Sequence, residues 1–292
     1  MRPDRLITLG LFRPCRRALA GPLPARRLPV LMYHGIADDP EPDFSPYYKV
    51  CTSPRRFAAH LQWLADHGWR GVTLTDGLAA LESNRAEAGG TEKRVAITFD
   101  DGFRDFFTAA FPLLRQHGFS ATMYLPTDFI GDERRSFKGR ECLTWAEVRE
   151  LHGAGIEFGS HTVSHPELVR LDWPEIEAEL RNSRATLESR LAAPVRAFAY
   201  PFAFPQADRT FVAGFRQVLR TTGYATCVTT GIGTVGPGDD ALQLCRLPAN
   251  DCDDDALFAA KLEGAYDWMG RPQWWFKALK HRTAPRRPRP AI

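Results

Sequence analysis

The chain has 292 residues, 44% hydrophobic and 25% charged, with a net charge of +3. That composition fits an ordinary globular protein of one large α/β domain or two small ones, and no apolar run is long enough to cross a bilayer. The small net charge hides an asymmetry: residues 1–27 hold seven arginines against one acid, residues 271–292 hold seven Lys or Arg and no acid, and the body between them holds 24 basic and 34 acidic residues. An acidic body between basic ends argues against a nucleic-acid-binding domain.

Taken in order, the chain begins with a basic lead-in, residues 1–28. Its only apolar stretch, Leu6 to Phe12, is interrupted by Thr8 and Gly10 and followed at once by Arg13, Arg16 and Arg17, a poor pattern for a secretory signal. The domain proper spans 29–270. Pro29 to Tyr33 reads as a strand that delivers His34 at its carboxyl end; on spacing alone His34 could equally be a satisfied loop histidine. Residues 38–50, rich in acids and prolines, read as a loop over the site. Ser53 caps a helix to Gly68 with Pro54 at its first position and Phe57, Leu61 and Leu64 at helical spacing. Trp69 to Leu74 is a strand, Thr75 to Leu81 a short helix, and Glu82 to Lys93 a polar loop. Val95 to Phe99 is the central buried strand.

Helices are predicted over Phe103–His117, Trp145–His152 (capped by Thr144), Pro174–Leu191, Phe211–Thr221 and Asp253–Tyr266. Strands are predicted at Ala121–Leu125, before His161, at Val195–Tyr200, Ala225–Val228 and Cys245–Leu247, with a charged loop over 127–141. Strands alternating with helices at this spacing predict a parallel sheet with helices outside, in seven or eight βα units. The end, 271–292, is a basic tail. Trp274, Trp275 and Phe276 beside Lys277, Lys280 and Arg282 suit an anionic membrane surface, while Pro285, Pro288 and Pro290 suit a plain solvated end. The six cysteines show no paired spacing and read as free thiols.

Two stretches carry chemistry. Asp100-Asp101-Gly102 closes the central strand. Successive strand side chains face opposite ways, so the two acids share a site only if the chain turns there; Asp-Asp-Gly also makes an ordinary solvated turn. The second stretch, Ser160-His161-Thr162-Val163-Ser164-His165, puts two imidazoles four residues apart. Coiled into a helical turn they would lie on one face. Two imidazoles and a carboxylate leave a zinc-like ion an open position, as a catalytic site requires.

Together, Thr98-Phe99-Asp100-Asp101-Gly102 and Ser160-His161-Thr162-Val163-Ser164-His165 resemble the polysaccharide deacetylase family (NodB-homology, carbohydrate esterase family 4). Phe198-Ala199-Tyr200-Pro201-Phe202 is similar to that family's groove motif. Pro29-Val30-Leu31-Met32-Tyr33-His34-Gly35-Ile36 resembles the branch of poly-N-acetylglucosamine deacetylase-like proteins, whose motif order is permuted. The resemblance covers roughly 29–248 and implies an irregular (β/α)7 barrel.

It further implies a metal-dependent N-deacetylase acting on GlcNAc-type residues of a polysaccharide or its glycolipid-linked precursor. One divalent ion, zinc first but cobalt, nickel or iron by the same ligands, would sit on Asp101, His161 and His165. Asp100 would be the base, His34 the acid, and Tyr200, Pro201 and Phe202 the substrate and oxyanion side. The family's late Leu-x-Leu-x-His is here Leu242-Gln243-Leu244-Cys245-Arg246, without histidine. Ala199 stands where the family carries the Arg that steadies the base, which leaves Arg104 or Arg246 for that task. An O-acetyl esterase or small-amide hydrolase, and a carbohydrate-binding protein without turnover, are the alternatives. The signal pattern and thiols fit a cytoplasmic protein at the inner membrane face; the branch it resembles often works outside the cytoplasm, so both compartments stay open, as does the oligomeric state.

Overall fold

The computed structural model describes residues 2–20, 27–39, 49–86 and 92–283. Seven parallel strands close a barrel. They are β1 (Val30–Tyr33), β2 (Lys93–Phe99), β3 (Thr122–Leu125), β4 (Glu157–Ser160), β5 (Ala197–Ala199), β6 (Thr226–Ile232) and β7 (Leu244–Pro248). Each pairs with the next in chain order, and β1 closes the ring with Leu31 opposite Leu247 on one edge and Ile97 on the other. The eighth predicted strand, Trp69–Val72, is outside this ring and lies along the first half of β2. Because all seven run the same way, their carboxyl ends meet at one rim, the mouth of the barrel.

The strands are buried on both faces, which explains their continuous apolar runs. One set of side chains fills the barrel, including Val30, Ala96, Tyr124, Ala199, Val228 and Leu244. The alternate set packs outward against the helices: Leu31, Ile97, Met123 and Leu247 in the larger cluster, and Phe198 among Phe211, Phe215 and Tyr224. Gly159 lets the Tyr124 ring cross the interior, since a Cβ there would sit 2.5 Å from it.

The helices follow the predicted order. Ser53 caps Pro54–Asp66 through the Arg56 N–H, and Thr144 and Glu147 form a reciprocal capping box on Trp145–Gly153. The predicted short helix at 75–81 is longer, Leu74–Ala86, and shortens the polar loop before β2. Most of the loop expected over the site, 40–48, lies outside the described residues. The charged stretch 127–141 holds a small hairpin, Ser136–Phe137 against Arg140–Glu141. Its two-residue turn, Lys138-Gly139, takes positive φ at both positions as a tight hairpin turn demands.

The basic N-terminal segment is helical from Pro3 to Ala20 and docks on the last third of the chain. Arg13 pairs with Glu263 at 2.7 Å, Trp268 donates to Thr8, and Phe12 stacks on Trp268 at 5.0 Å. The predicted tail begins as a helix, Gly270–Thr283. No helix among the described residues is long and apolar enough to cross a membrane.

Candidate metal centre and active site

The strand ends bring the predicted residues together through strained turns. Six non-glycine residues among those described have positive φ, and five of them (Asp101, Lys138, Thr162, His165 and Phe202) line the mouth. Such conformations persist only where surrounding structure imposes them, and they collect at functional sites. At Asp101, φ +72° followed by Gly102 at +66° is the turn that lets two consecutive acids share one site.

The helical turn expected after Ser160 does not form; residues 161–167 are an irregular bend. Left-handed backbone at Thr162 and His165 brings the two rings to 4.7 Å instead. The bend is pinned by the Glu179 carboxylate, which accepts from the N–H groups of Val163 and Ser164 at 2.8 and 3.0 Å. Thr162 Oγ1 accepts from the His165 N–H at 2.9 Å. A carboxylate and a hydroxyl have taken over the backbone donors that a helix would have satisfied internally.

Asp101, His161 and His165 are buried, and their donor atoms lie within 4.8 Å of one another. The Nε2 atoms of His161 and His165 stand 3.7 and 3.3 Å from Asp101 Oδ1. His161 Nδ1–H donates to the Ala199 carbonyl at 2.8 Å, which leaves its Nε2 lone pair free to ligate. Asp101 Oδ1 and His165 Nδ1 are buried without a hydrogen-bond partner among the described residues. Buried polar atoms are nearly always satisfied, and an oxygen facing two imidazoles with no bond of its own is what a cation between them requires. The donor set therefore fits a divalent metal.

Electrostatics agree with that fit. Burial would raise the Asp101 carboxyl, but His165, His34, Lys138 and His161 bring it well below the usual carboxylate range. Burial pushes His161 down to about 4, against the pull of Asp100. An ionised carboxylate and a neutral imidazole are the ligating forms.

Asp100, 2% exposed, sits beside this cluster. Of the two arginines left open for steadying it, Arg246 does so: Nη1 and Nη2 reach Oδ1 and Oδ2 at 2.7 and 2.8 Å, a two-pronged grip. Arg104 instead pairs with Glu141 and Glu147. Arg246 comes from β7 and is fully buried; its Nε donates to the Thr229 carbonyl at 3.1 Å. Burial favours the neutral acid at Asp100, but Arg246 and His161 outweigh it and hold the carboxyl below its ordinary value. His34 Nε2 stands 3.8 Å from Asp100 Oδ2, with its side chain 20% exposed at the mouth.

The third motif divides. Tyr200 is packed into the core among Phe204, Phe211 and Phe215, and Pro201 is buried. Phe202 is 47% exposed, with its ring edge-on to His165 at 4.6 Å. One residue at the mouth had no signal in the sequence. Lys138, at the hairpin turn, places its ammonium 3.0 Å from Asp101 Oδ2 and over the rings of Phe137 and Phe202.

Comparison with known proteins places this arrangement. A family model described as polysaccharide deacetylase matches residues 87–226, from just before β2 into β6. YxkH of Bacillus subtilis (strain 168), a presumptive polysaccharide deacetylase, is 27% identical over 237 residues, 81% of this chain and 76% of its own. Poly-beta-1,6-N-acetyl-D-glucosamine N-deacetylase of Staphylococcus aureus (strain MSSA476) is 23% identical over 166 residues, 54% of this chain and 55% of its own. Among solved structures, the Streptococcus pyogenes deacetylase PplD in complex with acetate superimposes with a TM-score of 0.67 at 25% identity, covering 81% of this chain and 98% of that one. IcaB from Ammonifex degensii shares the fold, with a TM-score of 0.65 at 24% identity over 82% and 97% of the two chains. The motifs, the closed seven-stranded barrel and these matches agree: residues 87–226 match the polysaccharide deacetylase family, and the chain around them is similar to deacetylases of that family.

Proposed function

We propose that the chain is a zinc-dependent hydrolase that removes N-acetyl groups from GlcNAc-type residues of a polysaccharide or its glycolipid-linked precursor. The observation that carries this reading is the convergence, at one rim, of an orphaned Asp101 oxygen with two histidines beside a carboxylate gripped by Arg246. Support for the substrate comes from the S. aureus relative, named for poly-β-1,6-N-acetyl-D-glucosamine, and from the acetate held by PplD.

Asp101, His161 and His165 would hold the ion, which when bound supplies Lewis-acid chemistry: an activated water and a polarised acyl oxygen. Asp100, kept ionised and oriented by Arg246, takes the proton of the attacking water. The Phe202 N–H donates to the oxyanion as it develops. His34 protonates the leaving amine, which without a proton is a poor leaving group. Tyr200 and Pro201, both buried, lead the chain from the core into Phe202.

One observation favours a variant of this scheme in which His34 takes the proton first and then delivers it. Burial lowers His34 against the opposing pull of Asp100 and Asp101, with Arg246 and Lys138 adding to the lowering, which favours the neutral imidazole. The two schemes predict opposite pH limbs. If His34 starts as the acid, kcat/KM falls as pH rises through its lowered pKa; if it starts as the base, kcat/KM falls as pH drops through the same value. The test is a pH profile of acetate release from N-acetylglucosamine oligomers, wild type against His34→Ala. Loss of whichever limb is seen assigns the group, and an unchanged profile in the variant would remove His34 from the chemistry.

The terminal helices add a surface to this reading. Six of the eight exposed large apolar side chains among the described residues lie on them: Leu6, Ile7, Leu11, Trp274, Trp275 and Phe276. Beside the basic residues of both ends they would let residues 1–28 and 271–292 rest the 29–270 domain on an anionic membrane. Co-sedimentation with vesicles containing anionic lipid, lost in Trp275→Ser, tests it; binding equal to neutral vesicles argues against it.

A further inference from the structure

Phe202 holds φ +58°, a conformation that a phenylalanine keeps only under constraint. The constraint comes from Thr230 in β6. Its hydroxyl donates to the Phe202 carbonyl at 3.2 Å and accepts from the Phe204 N–H at 2.9 Å, closing both ends of the 202–204 turn.

Thr230 is in turn held from outside the barrel. Gln273 Nε2 donates to the Thr230 carbonyl at 2.8 Å while its Oε1 accepts from the Ile232 N–H at 3.1 Å. Lys277, one turn further along the same helix face, brings its ammonium to 3.3 Å from Thr230 Oγ1. One hydroxyl hydrogen and two lone pairs are thereby all used. The helix starts in close contact, since a Cβ at Gly270 would meet the Ile232 carbonyl at 2.6 Å. The preceding residue, Thr229, supports the other side of the site through its carbonyl bond to Arg246. Two adjacent residues of β6 brace both Asp100 and Phe202.

We infer that Thr230 is a positioning residue that fixes the Phe202 N–H at the mouth, and that helix Gly270–Thr283 belongs to the catalytic unit because Gln273 and Lys277 hold Thr230. The catalytic half rests on the reading of Phe202 as oxyanion donor; the positional half does not.

The test compares Thr230→Val, which keeps the shape and removes the hydroxyl, with Thr230→Ser, which keeps the hydroxyl. Crystal structures and steady-state acetate release are measured on the full chain. In Thr230→Val, Phe202 should leave its left-handed conformation, and kcat should fall about tenfold, the scale of one or two lost hydrogen bonds. KM and bound zinc per chain should stay as in wild type, and Thr230→Ser should recover both the backbone and the rate. Gln273→Leu, which leaves the barrel itself untouched, should lower kcat about threefold, a part of that effect. Phe202 unmoved in Thr230→Val would overturn the role of Thr230, whatever the activity. Phe202 displaced with kcat unchanged would overturn the oxyanion reading on which the catalytic half depends.

Discussion

The Arg246–Asp100 and Lys261–Asp253 pairs are both buried, with no side chain more than 3% exposed, yet they are built differently. Arg246 meets both oxygens of one carboxylate with a planar fork, so it fixes the plane of Asp100 as well as its charge. Lys261 is a point charge on one oxygen of Asp253, at 2.6 Å. The Asn250 N–H shares that oxygen, and Arg2 reaches the other at 3.2 Å. The Asp253 carbonyl accepts from His60, whose Nδ1 accepts from the Tyr33 hydroxyl, so this second network ties the N-terminus and the helix Asp255–Leu262 to β1. The difference teaches that a buried pair is no sign of function by itself. The oriented pair beside orphaned ligands is the one the proposed function uses, and the shared pair, with every oxygen spoken for, ties elements of the fold together.

That distinction can be broken by substitution. The largest effect is expected from Asp100→Asn, which should cut kcat by roughly 10²–10⁴-fold, the scale of a lost general base, with zinc still bound. Steady-state rates beside metal analysis check it. Asp253→Asn should instead cost about 3–5 kcal/mol of stability in urea unfolding, the usual result of stranding a buried cation, with kcat per folded molecule unchanged. If Asp253→Asn lowered kcat as Asp100→Asn does, the two pairs would not differ as argued. Arg246→Lys sharpens the point by keeping the charge and losing the fork. The loss of about one charged hydrogen bond predicts a kcat roughly tenfold to hundredfold lower.

A smaller effect is expected at Lys138. Its ammonium opposes a cation on Asp101, so Lys138→Met should tighten zinc by about fivefold, the roughly 1 kcal/mol of an exposed charge at short range. A competition titration against a chelator reads it, and weaker zinc binding would mean that Lys138 holds the carboxylate in place for the metal.

Much of the site is local in sequence and was legible there. Asp100 and Asp101 stand at the strand end that the apolar run of β2 announces, His161 and His165 follow the short strand predicted before them, and the helix order follows from caps and spacing at Ser53 and Thr144. What was not legible is non-local. Arg246 was one of two candidates beside Arg104, and the choice could not be made from sequence: it lies 146 residues from Asp100, and only the closure of β7 onto β1 makes it a neighbour. Lys138 reaches Asp101 because a two-residue turn aims it there, within a stretch whose charges read as surface. The bend after Ser160 was expected as a helical turn because local spacing does not reveal Glu179, a residue of the following helix that captures its N–H groups.

The most direct test of the central claim is acetate release from N-acetylglucosamine oligomers by protein stripped with a chelator and then given zinc, with His161→Ala beside it. The account predicts release abolished on stripping, restored by one zinc per chain in wild type, and absent in His161→Ala. Release that survives stripping, or that His161→Ala supports at the wild-type rate, would contradict it.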